Sequence, residues 1–258
     1  MSIPKIIHYC WFGRGAIPER EQVCMKSWKE LLPDFEVKFW NEDSFDLEHA
    51  VPYVRECYEK KKFAFVSDYV RMYALYNYGG VYLDTDVEVI KPLDKFLEDD
   101  FFIGFENRTM VGTGIIGSKS GNWLLKEMID YYSVRNFIDE NGNMDVTTNV
   151  KILVGIIEKY GFVTENREQM IRNLHIYERD IFHPKKLSEE EFLVTERTIT
   201  IHKMAGSWLT DRERRRGANV IWRNFFRPGL RSAHRIIQKI LGEGKTKEIE
   251  LMIRKMLR

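Results

Sequence analysis

The stretch Ser67-Asp68-Tyr69-Val70-Arg71-Met72-Tyr73-Ala74-Leu75-Tyr76-Asn77-Tyr78-Gly79-Gly80-Val81-Tyr82-Leu83-Asp84-Thr85-Asp86-Val87-Glu88 decides how the rest of the chain is read. It predicts a helix, a double-glycine stop and a strand that ends in two acids. Ser67 is a good N-cap, and Asp68 beside it suits the positive end of a helix. Val70, Ala74 and Tyr78 fall on one stripe, which sets the helix against a core. Asp68 and Arg71 are three residues apart and so share a face. Gly79-Gly80 ends the helix, because glycine takes positive φ without strain. In the strand, Val81, Leu83, Thr85 and Val87 point one way, and Tyr82, Asp84, Asp86 and Glu88 the other.

Asp84 and Asp86 therefore stand together at a strand end. Two like charges side by side resist ionising together. A divalent cation removes that conflict, and oxygen ligands suit Mg²⁺ or Mn²⁺. Mg²⁺ takes one or two protein carboxylates and fills its other positions with water and substrate phosphates. The pair is thus a candidate diphosphate clamp. A bare Asp-x-Asp is also what a solvated acidic turn looks like; the helix, the glycine pair and Tyr82 favour the clamp.

The run S-D-Y-x-R-x-x-x-L-Y-x-x-G-G-x-Y-x-D-x-D resembles the signature of DXD-motif sugar transferases, glycosyltransferase family 32. That family includes capsular polysaccharide transferases and fungal α-1,6-mannosyltransferases, and the glucosyltransferase domains of clostridial toxins look related. The resemblance is strongest over residues 65–92. It returns at Ile3-Pro4-Lys5-Ile6-Ile7-His8-Tyr9-Cys10-Trp11-Phe12-Gly13, which matches the family's opening I-P-K-x-I-H-x-x-W-x-G, and at His202-Lys203-Met204-Ala205-Gly206-Ser207-Trp208, an H-x-x-x-x-S-W.

The resemblance implies an α/β fold of GT-A type, with a Rossmann-like mixed sheet flanked by helices, over residues 1–210. It implies a retaining enzyme of polysaccharide biosynthesis that moves a hexose from a UDP-sugar or GDP-mannose to a glycan or lipid-linked acceptor. Asp86 would bind Mn²⁺ or Mg²⁺ most directly. Asp84 would hold the ribose and, directly or through water, the metal. Asp68 and Arg71 would orient the donor sugar and diphosphate, and Tyr82 would contact one of them. Trp11 would stack on the nucleotide base, as the matching tryptophan does on uracil in the toxins. Ser207 and Trp208 would close over the donor and exclude water. His202 has two readings: a neutral imidazole metal ligand, or a buried histidine held by one hydrogen bond.

The remaining sequence fits one large α/β domain. The 258 residues are 44% hydrophobic, which excludes a disordered chain. A net charge of +1 gives no global pull toward nucleic acid. Cys10, Cys24 and Cys57 have no metal-type spacing, and the odd count argues against a disulfide framework and for a reducing compartment. The start MSIPK is not followed by a long apolar run, and no segment approaches the ~20 apolar residues of a membrane span. A cytoplasmic protein is expected.

Residues 5–13 read as a buried first strand, 18–32 as a helix with Val23, Trp28, Leu31 and Leu32 apolar, and 35–40 as a second strand. The turn Asn41-Glu42-Asp43-Ser44 follows. Asp43 is either a nucleotide ligand or a helix cap before Phe45. Residues 51–62 look helical, 101–106 form a strand, and Pro92 ends the strand that carries the acids. Val111-Gly112-Thr113-Gly114-Ile115-Ile116-Gly117 holds a literal G-x-G-x-x-G. No helix starts inside it, so it reads as a core strand whose small residues let backbone approach a sugar. Helices are expected at 122–132 and at 145–160, the latter N-capped near Asp145. Strands are expected at 174–177 and 198–202. Where the family often has Thr-Gly-Pro, this chain has Thr148-Asn149-Val150, a departure.

Residues 211–258 hold 14 Lys and Arg against 5 Asp and Glu, a net +9. Ile236, Ile237, Ile240 and Leu241 form an apolar stripe with Arg231, Arg235 and Lys239 around it, and Ile249, Met252, Ile253, Met256 and Leu257 repeat it. This helical basic tail either lies on an anionic membrane surface, making the protein peripheral, or packs on the domain. Its Arg and Lys do not read as a nucleic-acid site. Two other functions fit an Asp-x-Asp: a haloacid-dehalogenase-type phosphatase with Asp84 as nucleophile and Asp86 as acid/base, and a non-catalytic sugar-nucleotide binder. An EF-hand is excluded, because Val89 and Lys95 occupy the positions of its glycine and bidentate acid.

Overall fold

The computed structural model describes residues 2–188 and 191–204. The expected domain boundary at 210, the basic tail 211–258, and Ser207 and Trp208 lie outside the described residues. In chain order the elements are β1 (Ile6–Cys10), α1 (Glu19–Leu31), β2 (Glu36–Trp40), α2 (Pro52–Glu59), α3 (Phe63–Tyr78), β3 (Gly80–Leu83) and β4 (Val87–Val89). Then come β5 (Phe101–Phe105), β6 (Val111–Ser118), α4 (Trp123–Ser133), α5 (Asn149–Ile157), β7 (Gln169–Ile171), β8 (Leu174–Tyr177), α6 (Arg179–Phe182) and β9 (Thr200–His202).

Seven strands form a mixed sheet in the order β2-β1-β3-β6-β5-β8-β7. β1 runs parallel to both β2 and β3, β5 parallel to β8, and β6 and β7 run against their neighbours. The expected α/β fold, a mixed sheet flanked by helices, is borne out. The chain leaves β1 toward β2 on one side and returns as β3 on the other. Such a reversal opens a crevice at the carboxyl ends of the strands, where ligands of open α/β sheets bind. Trp11 follows β1 there, and Asp84 follows β3.

The central strands of the sheet are buried on both faces, and β3 shows how. Val81 and Leu83 pack with Ile7, Trp28 and Phe102 on one face. Tyr82 points to the other face with Val70, Ala74 and Leu75 of α3. His8 is fully buried at the seam. Its Nδ1 accepts from Trp40 Nε1 at 3.1 Å, and its Nε2–H donates to the Gly79 carbonyl at 2.8 Å. It is structural, and burial pushes its pKa down to about 4. Gly80 has φ +109°, and a Cβ there would stand 2.6 Å from the Ile6 carbonyl oxygen, so only glycine fits. The three cysteines are free and buried.

Several expectations are corrected. Ser67 is not an N-cap: α3 begins at Phe63, and the Ser67 hydroxyl donates back to the Phe63 carbonyl at 3.1 Å. The apolar residues 63–66 extend the helix upstream, so its start lies four residues before the polar pair that suggested a cap. The stripe on α3 ends short of Tyr78, which is exposed, as Val23 is on α1.

Residues 81–88 are not one strand. The ladder with β6 stops at Leu83, and Val87 N–H donates to the Asp84 carbonyl at 2.9 Å. This tight turn carries the chain into a separate two-stranded sheet, β4 with β9. Residues 145–148 are not helical; α5 starts at Asn149 after Thr148, and the Asp145 side chain instead accepts from Thr147 N–H. No helix follows Asp43, which removes the cap reading. There the Asn41 side chain accepts from the Asp43 and Ser44 backbone N–H groups and closes the turn.

Candidate active site

The turn after β3 places Asp84 and Asp86, and β9 adds His202. Each of the three offers a ligand atom, all within 4.8 Å of one another. His202 pairs with Val87 in the β4–β9 ladder, Lys203 N–H donates to the Asp86 carbonyl at 2.9 Å, and His202 Nε2 lies 3.3 Å from Asp86 Oδ1. The far end of the described chain is thereby fastened to the turn. Burial lowers the His202 pKa, but the charges of Asp86, Asp84 and Glu106 outweigh it and raise it to about 9. Imidazolium thus balances the carboxylates in the metal-free protein.

The set suits a hard or borderline dication, with two carboxylates and an imidazole. His202 Nδ1 is buried without a hydrogen-bond partner among the described residues, which suits a histidine whose ring answers to more than packing. A Cβ on Gly114 would stand 2.8 Å from that nitrogen and 3.2 Å from Asp84 Oδ2. The residues present therefore fit the ion.

Behind Asp84 lies a buried ion-pair network. Arg71 Nη2 is 3.2 Å from Asp68 Oδ1 and 3.2 Å from Asp84 Oδ1. Its Nη1 donates to the Thr113 carbonyl at 2.7 Å, and its guanidinium lies 4.5 Å over the Tyr82 ring. The Tyr82 hydroxyl donates to Asp84 Oδ1 at 2.9 Å. Burial lifts the Asp68 carboxyl to about 6 despite Arg71. Burial lowers the Arg71 pKa but is outweighed by Asp84, Tyr82 and Asp68, so it stays charged. Asp84 thus has a fixed direction, and its oxygens are engaged, which is poor preparation for the nucleophile of a phosphatase.

Of the residues predicted from sequence, Asp68, Arg71, Tyr82, Asp84, Asp86 and His202 come together. Trp11 and Asp43 lie at the carboxyl ends of β1 and β2. Trp11 is half-buried and donates Nε1–H to the Gly15 carbonyl at 2.7 Å. Asp43 pairs with Arg14 at 2.8 Å on the surface. The stronger link between these two turns is Glu42, which accepts from Gly13 N–H at 2.6 Å and from the Tyr58 hydroxyl at 3.0 Å. Sequence reading also passed over Asn149. Its Oδ1 lies 3.2 Å from the Thr113 hydroxyl, and its Nδ2 is buried without a partner among the described residues. A buried asparagine opening a helix beside a conspicuous glycine strand is the signal that could have flagged it.

An acidic pair in a tight turn, a third ligand from a distant strand and a mixed sheet opening above them define a DXD-type site. Residues 18–103 match the family described as "Glycosyltransferase sugar-binding region containing DXD motif", and Asp84-Thr85-Asp86 lies inside the match. Over those residues the chain is similar to this family of sugar transferases.

Among its relatives, inositol phosphoceramide mannosyltransferase 3 of Schizosaccharomyces pombe is 30% identical over 131 residues, covering 50% of this chain and 36% of the relative. An uncharacterized glycosyltransferase of Acanthamoeba polyphaga mimivirus is 30% identical over 169 residues, covering 61% of this chain and 66% of the relative. The chain thus spans about a third of the fungal relative and just under two thirds of the viral one. A solved structure, "PaToxG Glycosyltransferase", aligns at a TM-score of 0.46 and 18% identity over 62% of this chain and 72% of its own. Among the described residues, no helix is long and apolar enough to cross a membrane.

Proposed function

We propose that the protein moves a hexose from a nucleotide sugar to a hydroxyl of a glycan or lipid-linked saccharide, using a divalent cation held by Asp84, Asp86 and His202. The observation that carries this reading is the Asp84–Asp86–His202 cluster backed by buried Arg71. When bound, Mn²⁺ or Mg²⁺ would act as a Lewis acid on the diphosphate oxygens. The chain's own groups do the rest. Arg71 and the Tyr82 hydroxyl hold Asp84 in one orientation, which spares the site the cost of ordering it. Asp68, Thr113 and Asn149 offer a carboxylate, a hydroxyl and an amide around that network for the donor sugar. Trp11 offers a ring face for the base, and Ser207 and Trp208 belong to the same reading as a cover that excludes water. Asp43, paired with Arg14, would shape the rim beside the base.

The relatives named mannosyltransferases support GDP-mannose as donor; the tryptophan after β1 supports a UDP-sugar. A lipid-linked acceptor agrees with the first relative's name. Residues 211–258, as a helical extension beyond the domain 1–210, would hold the enzyme to an anionic membrane surface from the cytoplasmic side. Liposome flotation of the full chain against a 1–210 truncation tests this, and equal binding sinks it.

The donor is tested by a thermal-shift panel of nucleotide sugars with and without Mn²⁺, because a ligand that binds only the folded protein raises its melting point. A cation-dependent rise with one donor class is the expected result. No rise with any donor, or full activity in Asp86→Ala with metal present, sinks the reading.

A further inference from the structure

β6 places two glycines on one face. Gly112 and Gly114 are two residues apart, so they share a side of the strand, and Thr113 turns to Arg71 and Asn149 on the other. Gly114 makes room for His202 and Asp84. Gly112 makes room for a second pair of groups. A Cβ there would stand 2.7 Å from His183 Nε2 and 2.9 Å from the Glu106 Cβ. The His183 and His202 rings are 5.5 Å apart. Glu106 and His183 thus lie one strand repeat, about 7 Å, along β6 from the acidic pair.

Neither side chain has a hydrogen-bond or ion-pair partner among the described residues. His183 is fully buried, and neither ring nitrogen completes a hydrogen bond of normal geometry, although the ring lies against the Gly112 backbone. Glu106 follows β5, where its backbone N–H donates to the Met110 carbonyl at 2.9 Å. Its carboxylate makes no hydrogen bond or ion pair with the described residues, although its surroundings include His202, Arg179, Asp84 and Asp86. Arg179 spends its Nε–H on the His183 carbonyl at 3.0 Å. A half-buried carboxylate with no such partner, on a floor kept clear by glycine, is unusual for a group that only packs.

We propose that Glu106 binds the acceptor: its carboxylate takes the hydrogen bond of the attacking hydroxyl, one repeat of β6 away from Asp84 and His202, with buried His183 as the wall behind it. The ligand class is a saccharide or polyol hydroxyl, and water takes that place when no acceptor is bound. This assignment rests on the glycosyltransferase reading above.

The test uses the full chain with Mn²⁺ and whichever of UDP-glucose and GDP-mannose stabilises it. Two quantities are read, the thermal shift given by the donor and the rate of donor hydrolysis. Glu106→Leu is expected to keep the donor's thermal shift and to lose hydrolysis by roughly 10- to 100-fold, the range for a hydrogen bond to a charged group. Glu106→Gln keeps a carbonyl acceptor and restores part of the rate. Gly112→Ala, which pushes a methyl into the same floor, gives the same split and serves if the leucine variant does not fold. Hydrolysis within about twofold of wild type in Glu106→Leu overturns the assignment. Loss of the donor's thermal shift overturns it too, since Glu106 then serves the donor. A wild-type chain that neither binds nor hydrolyses any donor sinks the glycosyltransferase reading and this one with it. An active wild type with unaffected variants sinks only this one.

Discussion

Arg71 stands 3.2 Å from Asp84, and both side chains are largely buried, so the first acid of the motif is held by an ion pair inside the protein. Asp68 shares the same guanidinium. Removing one partner of such a set leaves an uncompensated buried charge. Arg71→Met is therefore expected to destabilise the fold by about 3–5 kcal/mol, read by urea unfolding at pH 7. Arg71→Lys recovers part of this, because a lysine offers one point charge where the fork serves two carboxylates. An unchanged unfolding midpoint in Arg71→Met would show that the network contributes nothing.

Cation dependence follows from the ligand set. With wild-type protein, Mn²⁺ is expected to raise the melting point and EDTA to reverse the rise. Asp86→Asn and His202→Ala should weaken Mn²⁺ by more than about tenfold, read by calorimetric titration. Mn²⁺ binding equal to wild type in both variants would remove them from the metal site.

Gly114→Ala is the steric version of the same experiment. The new methyl would meet the His202 ring at 2.7 Å and Asp84 at 3.2 Å. Cation binding should fall by more than about tenfold while α-helical circular dichroism is kept. Intact binding would mean that the floor of β6 gives way easily.

Acid stability tests His8. Its folded pKa, about 4, lies below the ordinary histidine value of 6.5. Between these values the unfolded chain binds a proton that the folded chain does not, so stability rises with pH. The contribution is complete above pH 6.5 and is lost as pH falls toward 4. Unfolding free energy should drop by about 2 kcal/mol between pH 7 and pH 5, and His8→Gln should flatten that slope while costing about 1–3 kcal/mol at pH 7. An identical slope in the variant would assign the acid sensitivity elsewhere, fully buried His183 being the next place to look.

What the sequence disclosed follows the range of the interaction. Asp68 and Arg71 were readable as neighbours because a helix fixes that geometry within one turn. Gly79 and Gly80 were readable because positive φ is a local demand. His202 was readable only through a motif, since nothing local links it to Asp86. Glu106, Thr113, Asn149 and His183 were not readable. They meet through the β5–β6 and β3–β6 pairings and through loops from separate elements, and no spacing rule reports such meetings. The break at residues 84–86 escaped notice for a related reason. Period-two alternation continues across it, but the partner strand changes from β6 to β9.

The β4–β9 pairing has a practical consequence for anyone cutting this gene. The stretch by which the family is recognised closes at residue 103, yet β9 delivers the imidazole from residue 202. A fragment designed around the recognised stretch alone would keep the aspartates and forfeit their counter-charge, and it would bare the edge of β4 to other chains. Such a product would be sticky and cation-blind, and its failure in an assay would say nothing about the parent.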